Sequence, residues 1–569
     1  MTRTVEHRLQ FGLVVWAVGL ILALPAVGQT VTGAITGEVT DPSGAVVVGA
    51  QVTAENTATA VRTSTKTNSV GVYTIRFLPI GSYTLTIEAS GFAAQKLGPL
   101  TLEIDQTAKI NVGLAIGDST TVTVQAELHP ILDATDSTLG NVLSSNEIAN
   151  IPLNGRNFSA LTLYIPGAID TDPTGMRGNN AIERNTFNSG QVEINGNRTQ
   201  ENNYTIEGAD NNEPQNNLIA YNPAPDAIAE LRVVAANANA TYGNANGGAV
   251  VTILKSGTNS FHGSLYEFLQ SEKLNANTWG NGLSNPVTPK QSYTQNIFGG
   301  TFGGPILRNR LFFFGDYEGI RHHTGGLLQA SVLTPAMLKG DFSGLTGVQL
   351  YDSQNNFAPY VNNQVPVVNP VAQYLAANPK FYPAPNAVPT DGLIHNNFLG
   401  QQSSFVSNNQ FDVKVDWTPR NADTMNGFYA QGTGSDFTTV VLPVAFPNHN
   451  TYPTKIAGMS WVHAFSPAII NQARFGFTRV RWNNGVPSDP TGNFGLTGNQ
   501  KVGIPFGTQQ YVGFTGQSIS NFSNNLGNLG ANPSYFGTNA SPQVFTDNTF
   551  NYYDNLTWQH GRHFFSIGG

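Results

Sequence analysis

Between residues 410 and 417 the sequence reads QFDVKVDW, so that Phe411, Val413, Val415 and Trp417 alternate with Asp412, Lys414 and Asp416. A period of two places the apolar set on one face of a β-strand and the charged set on the other. NRLFFFGDYEGIR (Asn309 to Arg321), TKIAGMSWVHAF, NQARFGFTRVRW and FNYYDNLTWQ repeat the pattern less strictly, with aromatic residues toward their ends. Tight turns at Asn421-Ala422-Asp423 and Ser466-Pro467 alternate with excursions rich in Pro, Gly and Asn over 323–405, 432–454 and 483–547. Loops that long do not suit a compact soluble domain. Short and long connections in alternation suit a wall of strands crossing a membrane.

Composition points the same way, because charged residues make up only 11% of the 569, against roughly 25% in soluble proteins. A lipid-facing surface needs no charge and a neutral polar lumen needs little. The net charge of -8 and the lack of any basic stripe exclude nucleic acid as a partner. With no cysteine, disulfide frameworks and thiolate metal sites are excluded as well. No His is followed by Glu at the His-x-x-Glu spacing of a zinc peptidase, and no G-x-x-x-x-G-K-[ST] loop is present, so neither catalytic residues nor a cofactor nor a metal site is expected. At the N-terminus Arg3, His7 and Arg8 precede the apolar run Phe11 to Leu24, and Ala26-Val27-Gly28 offers small residues for cleavage before Gln29. Residues 1–28 therefore read as a secretory signal peptide. The run is shorter than the roughly 20 residues of a spanning helix, and no other stretch is apolar enough, so insertion must be by strands.

Short alternating segments follow at GAITGEVTD, AQVTAEN, VRTSTKT, GVYTIRF, SYTLTIEA and AKINVGL, broken by Pro42-Ser43-Gly44, Asn68, Gly71, Pro79-Ile80-Gly81 and Gly91. Regular strand and turn spacing of this kind predicts a β-sandwich. The run NSVGVYTIRFLPIGSYTLTIEASGF resembles the carboxypeptidase-regulatory-like module, a transthyretin-like sandwich, over 29–117. This unit reads as a structural periplasmic spacer, with sugar binding as the alternative. Tyr73, Tyr83 and Phe92 read as core or turn anchors ahead of a stacking platform.

Three blocks then occur in order: IPLNGRNFSALTLYIPG (Ile151 to Gly167), NYTIEGADNNE (Asn203 to Glu213) and AIAELRVVAANANATYGNANGGAVVTILKSGTN (Ala227 to Asn259). They resemble the plug domain of TonB-dependent outer-membrane transporters, specifically the Oar-like group with a carboxypeptidase-regulatory-like domain in front. The stretch Thr241 to Trp279 resembles that family's junction between plug and barrel. The resemblance implies a linker at 118–146, a plug at 147–256 and the N-terminal part of an outer-membrane β-barrel over 257–569. The expected fold is mainly β, with a transthyretin-like β-sandwich, an α+β plug and a partial transmembrane antiparallel β-barrel. Roughly nine strands are readable, whereas bacterial barrels have even numbers and plugged transporters about 22. The barrel is thus expected to continue past Gly569 or to be completed elsewhere.

The family also implies the energy-coupling protein TonB as a partner, captured by strand addition at a TonB box. Thr120, Thr121, Val122, Thr123 and Val124 are the candidate segment; an ordinary closing strand of the sandwich is the equal alternative. Arg156, Arg198 and Arg232 are candidates for polar contacts between plug and barrel wall in a hydrated lumen without apolar packing, or else are solvated surface groups. Tyr204, Asn211, Asn212 and Tyr221 are candidates for ligand-facing plug loops, stacking on and hydrogen-bonding a neutral oligosaccharide; turn geometry is the alternative for the asparagines. Tyr317, Trp461, Trp482, Tyr553 and Trp558 are expected in interfacial girdles, and the pairs Gly299-Gly300 and Gly303-Gly304 at bulges or bends.

The function implied is import of a solute, whether oligosaccharide, peptide or siderophore-like, into the periplasm through the outer membrane. TonB and the inner-membrane proton gradient drive it without a chemical step. The alternative is a secreted or surface adhesion protein that binds carbohydrate through the sandwich.

Overall fold

The structure is a computed structural model and describes residues 31–117, 122–124, 138–171, 192–238, 242–243, 245–283, 287–345, 347–388, 397–440, 442–505, 509–518, 535–536 and 542–569. Residues 1–28, which read in sequence as a signal peptide, lie outside the described residues, as do Thr120 and Thr121 of the expected TonB-contact segment. Among the described residues no helix is long and apolar enough to cross a membrane.

The front unit is built from β1 (Gly33–Thr40), β2 (Gln51–Asn56), β3 (Arg62–Lys66), β4 (Val72–Leu78), β5 (Gly81–Glu88), β6 (Gln95–Leu102), β7 (Thr107–Lys109), β8 (Val112–Gly113) and β9 (Val122–Val124). They form two sheets, β4-β1-β7 with β8 also on β1, and β3-β2-β5-β6-β9. Alternate residues of facing strands meet in one core that includes Ile35, Val39, Val52, Tyr73, Ile75, Leu85, Ile87 and Leu102. Each such side chain contributes about 1.5–3 kcal/mol on burial. Tyr73 and Tyr83 end in hydrogen bonds to the carbonyls of Ile110 (2.8 Å) and Pro79 (2.7 Å), so both anchor the sandwich from within. The turn after β1 forms because the Asp41 carboxylate accepts from the Ser43 and Ala45 amides at 2.8 and 2.9 Å, with Gly44 at φ 86.

The middle unit comprises β10 (Leu139–Ser144), a small pair β11 (Ala168–Ile169) and β12 (Glu193–Ile194), then β13 (Asn203–Ile206), β14 (Ala209–Asp210), β15 (Ile228–Ala236) and β16 (Ala249–Leu254). Its main sheet runs β10-β15-β16-β13-β14, with β13 and β16 parallel. A helical turn at Ser145–Asn150 is fixed by a capping box between Ser144 and Glu147. Phe158, Leu161, Ile165, Tyr204, Leu231 and Val233 fill the core.

Among the described residues the last unit is one antiparallel sheet of nine strands. These are β17 (His262–Ser271), β18 (Ser292–Leu307) and β19 (Leu311–Ala330), then, after a small hairpin of β20 (Tyr351–Asp352) and β21 (Ala358–Pro359), β22 (Phe398–Arg420), β23 (Asp423–Thr438), β24 (His449–Ser466) and β25 (Ile469–Asn484). A further small pair, β26 (Gln517–Ser518) and β27 (Tyr535–Phe536), precedes β28 (Gln543–His560) and β29 (His563–Gly568). Every strand pairs with the next long strand in the chain. Short turns at 308–310, 421–422, 467–468 and 561–562 therefore share one end of the wall and the long connections share the other.

The strands outrun the sequence reading. β22 has 23 residues, about 50 Å of height at a 45° tilt against a hydrocarbon layer of roughly 30 Å. Its apolar alternation is confined to the short-turn half, so Phe398 to Asn409, which lack it, look like loop in sequence. Tyr317, Trp461 and Trp558 point outward, at 41, 40 and 45% exposure. Trp482 and Tyr553 face inward instead: Trp482 is 1% exposed and packs on Tyr452 and Phe545. Nor do the glycine pairs of β18 make bulges, since pairing with β17 runs unbroken from His262↔Gly303 to Ser271↔Thr294. A Cβ at Gly304 would overlap the Phe261 ring and one at Gly299 would lie 2.6 Å from the Tyr266 hydroxyl. Glycine here leaves room for aromatic rings laid across the sheet.

At the far end the long connections are not separate loops. Val332, Leu333, Met337, Val371, Leu375, Phe381, Leu442, Phe446, Phe494 and Phe514, drawn from three of them, form one buried apolar core. A helix at Pro370–Ala377, capped by the Asn369 side chain, lies within it.

Two glycines of the sandwich give a test of this packing. Gly44 has a left-handed φ in open space, whereas a Cβ on Gly37 would overlap the Ile110 carbonyl oxygen. Gly44→Ala is expected to lower stability by about 1 kcal/mol and Gly37→Ala by roughly 2–3 kcal/mol, read from urea midpoints; the reverse order would contradict the close approach of β1 and the 107–113 segment.

Candidate functional site

The middle unit sits against the inward face of the wall, and the contact is both ionic and apolar. At its centre is the β13–β14 turn, Glu207-Gly208, with φ of 51 and 79. A two-residue hairpin turn with both φ positive favours Asn or Gly, so glutamate is held here against its preference. Its carboxylate accepts from the Leu254 amide at 2.8 Å and pairs with Lys414 of β22 at 2.6 Å, both side chains being about 5% exposed. Lys414 also donates to the Leu254 carbonyl at 3.1 Å. Burial raises the Glu207 carboxyl above its ordinary range, and the neighbouring Lys414 ammonium opposes that rise. Gly208 lies beneath Arg474 of β25, where a Cβ would stand 2.9 Å from a guanidinium nitrogen. Next along, Thr478 Oγ1 donates to the Asp210 carbonyl at 2.5 Å.

A second ionic contact involves Arg156, which follows Gly155 in a 3-10 turn and has φ 54. Its guanidinium pairs with Asp226 of the middle unit and, at 3.4 Å, with Glu318 of β19. It also lies over the rings of Tyr266 and Phe268 of β17 at 4.9 and 4.4 Å, and the Tyr266 hydroxyl donates to Glu318 at 3.1 Å. Beside this cluster, Asp316 and Asp412 are direct cross-strand partners, 7% and 0% exposed. Tyr221 of the middle unit is fully buried near them; burial first, then these two carboxylates, push its hydroxyl well above the ordinary tyrosine range. Ile206, Ala209, Tyr221, Ala224 and Leu254 pack on Phe314, Phe428, Ala430 and Ile456 of the wall. The seam is therefore packed as well as paired, contrary to the expectation of contact without apolar packing.

Of the three arginines singled out in the sequence, Arg156 lies at the seam. Arg232 turns the other way: it donates to the Ile104 carbonyl of the sandwich at 2.8 Å and stands 3.8 Å from Asp105. Arg198 is exposed ahead of the 3-10 turn Thr199–Glu201. The four residues expected to face a ligand are buried. Tyr204 belongs to the core of the middle unit, and Tyr221 to the seam. Asn211 exchanges two bonds with the Tyr221 backbone (2.8 and 2.9 Å), and Asn212 accepts from the Tyr204 amide at 3.1 Å, so both serve as turn brackets. Val122–Val124 is the last strand of its sheet, parallel to Gln95–Leu97 of β6. Lys414, Asp316, Glu318 and Asp412 were missed, although their signal was visible as charges on one face of strands whose other face is apolar.

A family described as outer membrane beta barrel domain matches residues 253–569, and one described as carboxypeptidase regulatory-like domain matches residues 34–115. The TonB-dependent transporter Oar of Myxococcus xanthus is 27% identical over 322 residues, which cover 53% of this chain and 28% of that protein. Among solved structures, the outer membrane transporter YddB of Escherichia coli shares 9% identity at a TM-score of 0.43, covering 74% of this chain and 45% of that one. A ferric enterobactin receptor (PfeA) mutant of Pseudomonas aeruginosa shares 13% at a TM-score of 0.39, covering 75% and 48%. The chain thus spans less than half the length of each of these proteins. With residues 253–569 of 569 matched, on a wall whose strands alternate between lipid-type and lumen-type faces, the chain belongs to the outer membrane β-barrel domain family, with a carboxypeptidase regulatory-like domain ahead of it.

Proposed function

We propose that this chain supplies the sandwich, the plug and part of the barrel of a TonB-dependent outer-membrane transporter, exported by its signal peptide and bringing a solute into the periplasm. The carrying observation is the seat of the middle unit on the inward face of the wall through Lys414–Glu207 and Arg156–Glu318. A stopper inside a pore must be held firmly and yet be movable. Buried ion pairs serve both needs, because their net stability is small while each partner depends on the other. The sandwich lies at the short-turn end, where Asn259 donates to the Thr59 carbonyl at 2.7 Å and Asn68 to the Gly561 carbonyl at 2.8 Å. That end is the periplasmic one in this reading, and the fused outer connections are the surface that first meets an oligosaccharide, peptide or siderophore-like cargo. TonB takes hold at Thr120–Val124, ahead of the plug it has to move, by adding a strand to β9, the last strand of its sheet among the described residues.

Two outcomes test this. Deletion of Thr120–Val124 in the full-length protein is expected to reduce solute uptake to the level of a TonB-deficient strain while leaving outer-membrane insertion intact; uptake that survives both changes sinks the TonB reading. Lys414→Ala leaves Glu207 buried without its ammonium and is expected to weaken the plug seat by about 3–5 kcal/mol. Lys414→Met with Glu207→Gln is expected to recover most of that loss, read as the urea dependence of protease access to the plug.

A further inference from the structure

The turn between β6 and β7, Glu103 to Gln106, protrudes from the sandwich into the plug. Ile104 at its tip is 0% exposed, yet its side chain lies outside the sandwich core. It packs instead with Val234, Tyr242, Ala249, Val251 and Ile253 of the plug, in a cluster that Val31 and Ile80 of the sandwich border. Its peptide groups are held from both sides by β15. The Ile104 amide donates to Glu230 at 2.9 Å, and Arg232 donates to the Ile104 carbonyl at 2.8 Å. Tyr242 donates to Asp105 at 2.6 Å, and Asp105 itself has φ 56. Glu230 and Arg232 stand two apart on one strand, so a single face of β15 presents an acceptor and a donor to one projecting loop.

Between this contact and the short turns of the wall lies a cavity of about 580 Å³, bounded by sandwich, plug and barrel. The sandwich therefore covers the underside of the plug. Any path of the plug out of the short-turn mouth, in whole or in part, either carries the sandwich along or breaks the Ile104 contact.

We propose that the Ile104–Asp105 tip is a bolt that holds the plug shut, with Glu230 and Arg232 as the positioning residues that grip it, and that passage of solute requires its withdrawal. The proposal rests on the transporter reading above. Withdrawal is reversible at modest cost, since it breaks three hydrogen bonds, those of Glu230, Arg232 and Tyr242, and returns these groups and one isoleucine to water. Force on the segment between β9 and β10 acts on both bodies joined by the bolt, so a pull there loads the bolt along with the plug.

Burial pushes the Glu230 carboxyl up to about 7; the Ile104 amide opposes that rise, Glu103 of the sandwich adds to it and Arg232 opposes it. Asp105, the Tyr242 hydroxyl and Arg76 of β4, whose guanidinium acts on Asp105, are the other titratable groups described around the contact. Withdrawing the tip removes part of the burial and the Glu103 charge, so the carboxyl falls back toward its ordinary 4.5. The docked state then binds more protons than the released one between those two values, and docking tightens as pH falls through 7 toward 4.5, by at most about tenfold per pH unit.

The test is made on the full-length protein in outer membranes and in detergent. Amide exchange of residues 103–107 is expected to be slow in the parent, slower at pH 6 than at pH 8 once corrected for intrinsic rates, and fast in Ile104→Asp. Glu230→Gln, which keeps an acceptor, is expected to retain protection and lose the pH dependence. Tyr242→Phe and Arg232→Met, milder than Ile104→Asp, are expected to raise exchange in that order, and with it TonB-independent entry of a large hydrophilic antibiotic. Fast exchange in the parent overturns the bolt. Uptake and leak that Ile104→Asp leaves at parental values also overturn it, while the transporter reading stands. Absence of TonB-dependent uptake in the parent itself overturns the transporter reading and the bolt with it.

Discussion

Charge on the inner face of an otherwise apolar wall is the constraint from which the arrangement follows. Asp412, Lys414 and Asp416 alternate with residues that face outward, so β22 cannot be dry on both sides. Lys414 is 4% exposed and would be costly without a partner. The partner comes from more than two hundred positions earlier in the chain, as Glu207 at 2.6 Å. The wall and the middle unit are thus incomplete without each other, and the seam is the point at which one sequence feature explains another.

Backbone strain lies at the same places. Arg156 and Glu207, with φ of 54 and 51, each reach across the seam to a charged residue of the wall. Each stands beside a glycine that also has positive φ, Gly155 and Gly208. A left-handed non-glycine residue stores on the order of 1–3 kcal/mol unless its surroundings hold it. Here the ion pairs and the apolar packing of Tyr221 and Leu254 do so. The strain aims two long side chains outward from tight turns, which a regular strand could do only for alternate residues along its length.

Much of this was legible in the amino-acid order. The sandwich strands and their turns were read from alternation and from Asp, Pro and Gly punctuation, because local hydrogen bonds such as those of Asp41 decide them. The wall strands are legible where apolar residues alternate with polar ones, and illegible in the far halves of β22 and β19, where apolar residues such as Phe398, Leu399 and Leu327 no longer alternate. Period two separates the faces of a strand but does not say which one meets the plug, so Trp482 was placed outside although it packs inside on Tyr452. For the same reason the charges of QFDVKVDW were seen as a face and not as a binding surface. Asn211 and Tyr204 were misplaced because burial within a small domain depends on what folds over it, which composition does not report.

The long connections have a mechanical consequence. Three long connections share one core around Phe494, so they behave as a single body with a common position. That body is joined to β19, β22, β23, β24, β25 and β28, and three of these strands carry Glu318, Lys414 and Thr478 at the seam. Paired strands resist stretching far more than loops do, because sliding one past another would break the whole ladder of hydrogen bonds. Tilting of that body is therefore coupled to the middle unit through continuous ladders, with the ionic contacts as the places where a small shift of a strand changes an interaction most. The apolar core of the long connections, the seam and the Ile104 tip form one series from one end of the wall to the other, each joined to the next by rigid elements.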